Sequence, residues 1–143
     1  MTVSSNIDVC CVISTTNIDF NGYDATGANN SAGSDLTATG GISSTCTTGS
    51  GGNIRIGQGL HASSGSTDAV PARQMVHATD ASKFLAYNVF SDDVDTLWEN
   101  ATGVAYIGSG VAQPLVVYGI IPKNQTDAPV GSYTDTLVVT INY

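Results

Sequence analysis

Residues Ser4–Ser14 read "SSNIDVCCVIS", and two adjacent cysteines inside an alternating run decide how the stretch is read. Successive side chains of an extended strand point to opposite faces. Val3, Ser5, Ile7, Val9, Cys11 and Ile13 therefore share one face, while Thr2, Ser4, Asn6, Asp8 and Cys10 share a mostly polar one. The chain holds three cysteines, so Cys46 has two candidate partners that face opposite ways. An apolar strand face needs burial, and what buries this one bears on what the protein does.

The 143 residues include four Lys or Arg against twelve Asp or Glu, a net charge of −8. That length fits one domain with a core of its own. The acidic balance argues against nucleic-acid or anionic-membrane partners, which need a basic footprint. Charged residues are only 11% of the chain, and Gly, Ser, Thr and Asn take the polar positions, a profile of exported β-proteins. Disordered chains instead combine low hydrophobicity with high charge. No apolar run reaches the length of a membrane-spanning helix, and the N-terminus lacks the charged-then-apolar design of a secretory signal. Without a C-x-x-C or a Cys/His zinc spacing, three cysteines read as one bridge and one spare thiol in an oxidising compartment.

Strand signals dominate the rest. Asn17–Asp24 ("NIDFNGYD") alternates through Ile18 and Phe20 and turns at Asn21-Gly22; Ala25–Asp35 is turn chemistry and reads as a loop. Leu36–Thr47 carries small and β-branched residues toward Cys46, Gly49–Asn53 breaks the pattern, and Ile54–Leu60 resumes as a short strand before a polar loop, Ala62–Val70. Lys83–Asp93 reads as a strand from its aromatic and β-branched alternation. Pro114–Pro122 ("PLVVYGIIP") is a continuous apolar strand, and Ser132–Tyr143 ("SYTDTLVVTINY") alternates with Leu137, Val139, Ile141 and Tyr143 on one face. Short strands, Gly-rich turns and no amphipathic helix predict an all-β antiparallel sandwich.

Enzyme signals are weak. His61 and His77 have no carboxylate or cysteine arranged near them in sequence and read as exposed loop residues. There is no G-x-S-x-G elbow, and "GQGLHA" and "GSGVAQ" start G-x-G without completing a dinucleotide fingerprint. Asp92, Asp93 and Asp95 offer oxygen ligands of the kind calcium takes, but lack the Gly and distal Glu of an EF-hand and read as a solvated loop. Trp98 and Tyr106 flank a loop and read as core or rim packing, with an adhesive loop as the alternative. The chain is therefore read as a non-enzyme that needs no cofactor and no metal.

The two ends carry the strongest signal. Each is an alternating strand with no hairpin partner beside it, and neither is blunted by the charge or proline that guards exposed edges. Either the termini pair within one molecule and close the sandwich, or the N-terminus of one molecule completes the sheet of the next by strand addition.

Seven features stand in order along nearly the whole chain: "CVISTTNIDFNGYD", "GGISSTCTTG", "ARQM", "FLAYNVFSDD", Trp98, "VVYGIIP" and "APVGSYTDTLVVTINY". Together, and in this order, they resemble the spore coat protein U domain family, which includes pilins of archaic chaperone–usher pili. The resemblance implies an incomplete immunoglobulin-like β-sandwich, completed by donor-strand complementation from a neighbouring subunit. Residues 1–9 would be the donor strand, with Val3, Ile7 and Val9 as inward plugs and Ser5 a shallow one, and residues 10–143 the pilin domain. The acceptor edge would include Leu137, Val139, Ile141 and Tyr143. Cys11 matches the family's first cysteine, which implies a Cys11–Cys46 bridge and leaves Cys10 as a free thiol or an inter-subunit bond. The implied partners are identical subunits in a fibre, with a periplasmic chaperone and an outer-membrane usher during assembly. The implied location is an extracellular pilus serving adhesion and biofilm formation. A secreted coat protein, a tip adhesin domain and a monomeric ligand-binding sandwich are the alternatives. Three features depart from the family: the glycine one place late in Phe20-Asn21-Gly22-Tyr23, Glu99 after Trp98, and Cys10 itself.

Overall fold

The alternating stretches of the sequence form nine antiparallel strands in the computed structural model, which describes residues 1–92 and 96–143. They are β1 (Cys11–Thr16), β2 (Leu36–Cys46), β3 (Gly51–Ile56), β4 (Arg73–His77), β5 (Phe84–Phe90), β6 (Val104–Ile107), β7 (Gln113–Ile121), β8 (Tyr133–Thr134) and β9 (Val139–Asn142). One sheet has six strands in the order β1-β2-β7-β5-β4-β8, and the other has three in the order β6-β3-β9. Their inner faces meet in one core. Ile42, Leu85, Val89, Val117 and Ile121 come from the larger sheet, Ile54, Ile56 and Tyr106 from the smaller. This is an antiparallel sandwich, as the strand pattern predicts, and of the immunoglobulin-like kind that the family resemblance implies.

One device pins an edge strand within the larger sheet, and two others tie the layers together. Cys11 and Cys46 stand opposite each other in the β1–β2 register, 4.2 Å apart at Cα, and are joined by a disulfide. Cys10, one residue earlier, faces outward with a free, exposed thiol, as strand alternation requires. Arg73 opens β4 in the larger sheet and is only 1% exposed. It donates to the carbonyls of Gly57 at 2.9 Å, Ile56 at 3.0 Å and Trp98 at 2.7 Å, tying its sheet to the end of β3. Burial lowers its pKa to about 10, so it crosses the core as a cation at neutral pH. Trp98, 1% exposed, fills the remaining gap and donates from Nε1 to Ile54 O at 3.0 Å. Trp98 and Tyr106 are both core residues, which removes the adhesive-loop reading for them.

Four sequence expectations need correction. Asn17–Asp24 is not a strand, because Ile18 and Phe20 leave the sheet to fill the space over Gly40 and Gly119, where any side chain would collide with them. Gly49–Asn53 does not break the chain: β3 begins at Gly51, and a side chain at Gly52 would strike the carbonyl of Asn142 on β9. The long final strand is interrupted between β8 and β9, since the chain changes sheets there. His61 is half-buried and bonded to Asp135, while His77 Nε2 lies 3.2 Å from Val130 O with its ring edge-on to Tyr133. Neither is a loose loop residue. Strands β4 and β6 were not anticipated. In the Asp92 loop, Asp92 accepts from the Thr96 N–H and hydroxyl; Asp93 and Asp95 lie outside the described residues.

Replacing Cys11 and Cys46 together by serine removes a bridge between residues 35 apart in sequence. The expected loss is about 3–4 kcal/mol, read as a fall in melting temperature of about 10 °C. An unchanged melting temperature would show that the sheet edge holds without the bridge.

Candidate functional site

Among the described residues β1 and β8 are the edge strands of the larger sheet, and β6 and β9 those of the smaller. Strand β1 pairs with β2 along one edge, and β9 pairs with β3 along one edge. Their other edges border a groove of about 640 Å³ that exposes the core. One wall is Thr15–Phe20, the other is Tyr133–Leu137 with Val139, and Ile42, Ile56, Met75, Tyr87 and Val117 form the floor. A second hollow, of about 660 Å³, shares Phe20, Met75 and Tyr133 with the first and continues past Pro129–Ser132. Unpaired edges with apolar residues between them are a template for another strand.

The groove wall is set by Asp135, whose side chain is 2% exposed. It sits where the chain passes from β8 in one sheet to β9 in the other. Oδ1 accepts from Leu60 N at 3.0 Å and pairs with His61 Nδ1 at 2.9 Å; Oδ2 accepts from the Tyr87 hydroxyl at 2.7 Å. The carboxylate thus binds the crossover to the loop after β3 and to the floor strand β5. The Val138 carbonyl then accepts from Gly57 N at 2.9 Å, seating β9 beside β3. Burial, and then the bond to Asp135, push the Tyr87 pKa up. Sequence reading missed Asp135, Tyr87, His61 and Arg73 as a group. The only sequence signal was the Tyr-x-Asp-Thr run at Tyr133–Thr136, because the partners come from three separate segments.

The predicted acceptor residues divide. Leu137 and Val139 line the groove, and Ile141 packs against the core further along β9, all three half-buried. Tyr143 lies past the end of β9 and is exposed. The predicted donor residues are in the opposite condition. Residues 1–10 form no strand among the described residues, and Val3 and Ile7 are 84% and 83% exposed, with Val9 also exposed. Ser5 is exposed as well. The two termini therefore do not pair with each other in this molecule, and the apolar face of the opening stretch is left uncovered.

Tyr87→Phe should cost about 1.5–3 kcal/mol, the loss of a hydrogen bond to a charged partner. It should also alter the alkaline arm of the stability profile. Because the Tyr87 pKa is raised on folding, its contribution is fully present below about pH 10 and is lost as pH rises beyond it. Arg73, with its pKa lowered on folding, acts in the opposite sense there, so comparing the two proteins isolates Tyr87. Denaturant titrations from pH 8 to 11 should show a shallower decline in the variant; parallel curves would refute the assignment.

Comparisons with known proteins bear on the fold and the family. Protein U of Myxococcus xanthus is 39% identical over 129 residues, covering 88% of this chain and 71% of the relative. Among solved structures, the CsuC–CsuE chaperone–tip adhesion subunit pre-assembly complex from archaic chaperone–usher Csu pili of Acinetobacter baumannii aligns with a TM-score of 0.62 at 19% identity. That alignment covers 96% of this chain, which spans 40% of the aligned one. The Hda pilus minor tip subunit HdaB of E. coli aligns with a TM-score of 0.51 at 17% identity, over 92% of this chain and 82% of the other. These likenesses are of fold. The model of the Spore Coat Protein U domain matches residues 1–140, and with the kinship to Protein U it establishes that this chain belongs to the Spore Coat Protein U domain family.

Proposed function

We propose that the protein is a structural subunit of an extracellular chaperone–usher pilus and polymerises by donor-strand exchange. The observation that carries this reading is a mismatch within one molecule. An apolar groove lies open between β1 and β9, while an alternating segment, Met1–Val9, stands exposed. Each is what the other lacks. A strand laid between the free edges would pair its backbone with β9 and turn every second side chain onto the floor. Val3, Ile7 and Val9 are the plugs and Ser5 the shallow position; Leu137, Val139 and Ile141 receive them, and Tyr143 lies at the rim.

Magnitudes favour a stable joint. Burying Val3, Ile7 and Val9 contributes about 1.5–3 kcal/mol each, or about 5–9 kcal/mol in total. Ladder hydrogen bonds add about 0.5–1.5 kcal/mol apiece. A subunit that gives its strand to the next and takes one from the last makes a head-to-tail contact that does not close, which builds a filament. Until a neighbour's strand arrives, the open groove is an aggregation hazard. A periplasmic chaperone covering it and an outer-membrane usher passing subunits on complete the reading, with the fibre serving adhesion and biofilm formation. A shaft position is preferred over a tip, since Trp98 and Tyr106 are buried and unavailable as surface anchors. Kinship to Protein U favours a second reading, a secreted coat protein, which the same strand exchange would assemble.

Deleting residues 1–9 should leave a monomer whose groove binds a synthetic Thr2–Val9 peptide. In that peptide Ile7→Ala should weaken binding by about 2 kcal/mol or more, at least about 30-fold. The intact protein should run in SDS as a ladder that collapses on boiling. A truncated chain that still polymerises would sink the donor-strand reading. A ladder that also needs reductant would assign Cys10 to an inter-subunit bond.

A further inference from the structure

The exposed segment raises a question that strand exchange leaves open: why it does not fold back into its own groove. Its exit geometry answers. The Thr47 side chain stands just past the end of β2, where Thr47 N donates to Cys10 O at 3.0 Å and Cys10 N donates to Thr47 Oγ1 at 3.0 Å. These bonds extend the Cys11–Cys46 register by one pair. The same hydroxyl lies 3.3 Å from the carbonyls of Asp8 and Cys10, so one side chain contacts two of the residues just before Cys11. Thr47 is itself fixed, because its carbonyl accepts from both the N–H and the hydroxyl of Ser50.

The segment is thereby aimed in line with β1, away from the sandwich. The groove lies at the other end, against Thr15–Phe20. To enter it, the segment would have to reverse direction immediately before the disulfide-bound Cys11 and run back along the free edge of β1. Such a reversal needs a turn of two or more residues with its own backbone geometry. Cys10 is instead tied to Thr47 through both its N–H and its carbonyl.

We infer that Thr47 is a positioning residue that directs the donor segment outward, so that it reaches a neighbour's groove rather than its own. The inference rests on the donor-strand reading and concerns the choice between self-closure and polymerisation. Thr47 has no contact with the groove; it acts through the direction in which residues 8–10 leave the sheet.

The test refolds full-length protein at one concentration and separates folded monomer from multimers by size exclusion and unheated SDS electrophoresis. Three chains are compared: the unmodified protein, Thr47→Val, and a control with Asn-Gly inserted between Val9 and Cys10 to supply a hairpin turn. Thr47→Val keeps the size and the backbone N–H but removes the hydroxyl. It should raise the folded monomer fraction several-fold, and in those monomers the amides of residues 3–9 should be protected from hydrogen exchange. The insertion should raise it further. If the unmodified chain assembles and Thr47→Val divides between monomer and multimer as it does, the role of Thr47 is overturned while strand exchange stands. If the unmodified chain yields only monomer, strand exchange falls and this inference with it. A variant that does not refold is separated from these outcomes by its circular dichroism, and Thr47→Ser, which restores the hydroxyl, then decides: monomer at the level of the unmodified chain supports the role, and an elevated level overturns it.

Discussion

Everything that makes the groove a groove depends on where the chain crosses from one sheet to the other, and Asp135 sets that crossing. A carboxylate taken out of water is costly unless its oxygens are met by donors. Here Leu60 N–H, His61 and the Tyr87 hydroxyl meet them, the first two from the loop after β3 and the third from β5. The crossover is therefore held from the loop after β3 and from the floor of the core at once. With β8 on one sheet and β9 on the other, one wall of the cleft is placed without any strand lying in it.

The opposite wall is built by a different device. Gly40 on β2 and Gly119 on β7 leave no side chains on the inner face, and Ile18 and Phe20 settle over them. This draws Asn17–Asp24 out of the sheet, so β1 ends at Thr16 and its free edge stays short. Arg73 and Trp98 brace the layers from within through carbonyls of the smaller sheet. A sandwich with an open groove to its core needs its two sheets held at a fixed spacing. These buried polar ties fix the spacing of the sheets, while the disulfide pins β1 to β2 within the larger one.

Legibility followed the range of the interactions. Strands β2, β5 and β7 were readable because β-branched content, aromatic alternation and a continuous apolar run are local signals, and each strand spans seven residues or more. β6, with four residues, is too short to carry a pattern, and β4 opens on an arginine, whose burial only carbonyls elsewhere in the chain make tolerable. The final alternating run was legible as strand but not as two strands in two sheets, because a period of two is unchanged by a sheet switch. His61 looked idle in sequence since its partner lies 74 residues away.

By itself the sequence determined the class of fold, the faces on which Cys10 and Cys11 lie, and an N-terminal stretch with an apolar side to bury. Those follow from the geometry of one extended strand, which repeats every two residues wherever it sits. Whether the stretch closes its own domain or stays outside could not be read from it, because both arrangements satisfy the same alternation. The tertiary structure decided that. It sets the groove against one end of β1 and leaves the N-terminal segment exposed beyond the other, where Cys10 is bonded to Thr47. The reason is directional: burial is a sum over side chains, but where a segment leaves a sheet is fixed by hydrogen bonds to residues remote in sequence.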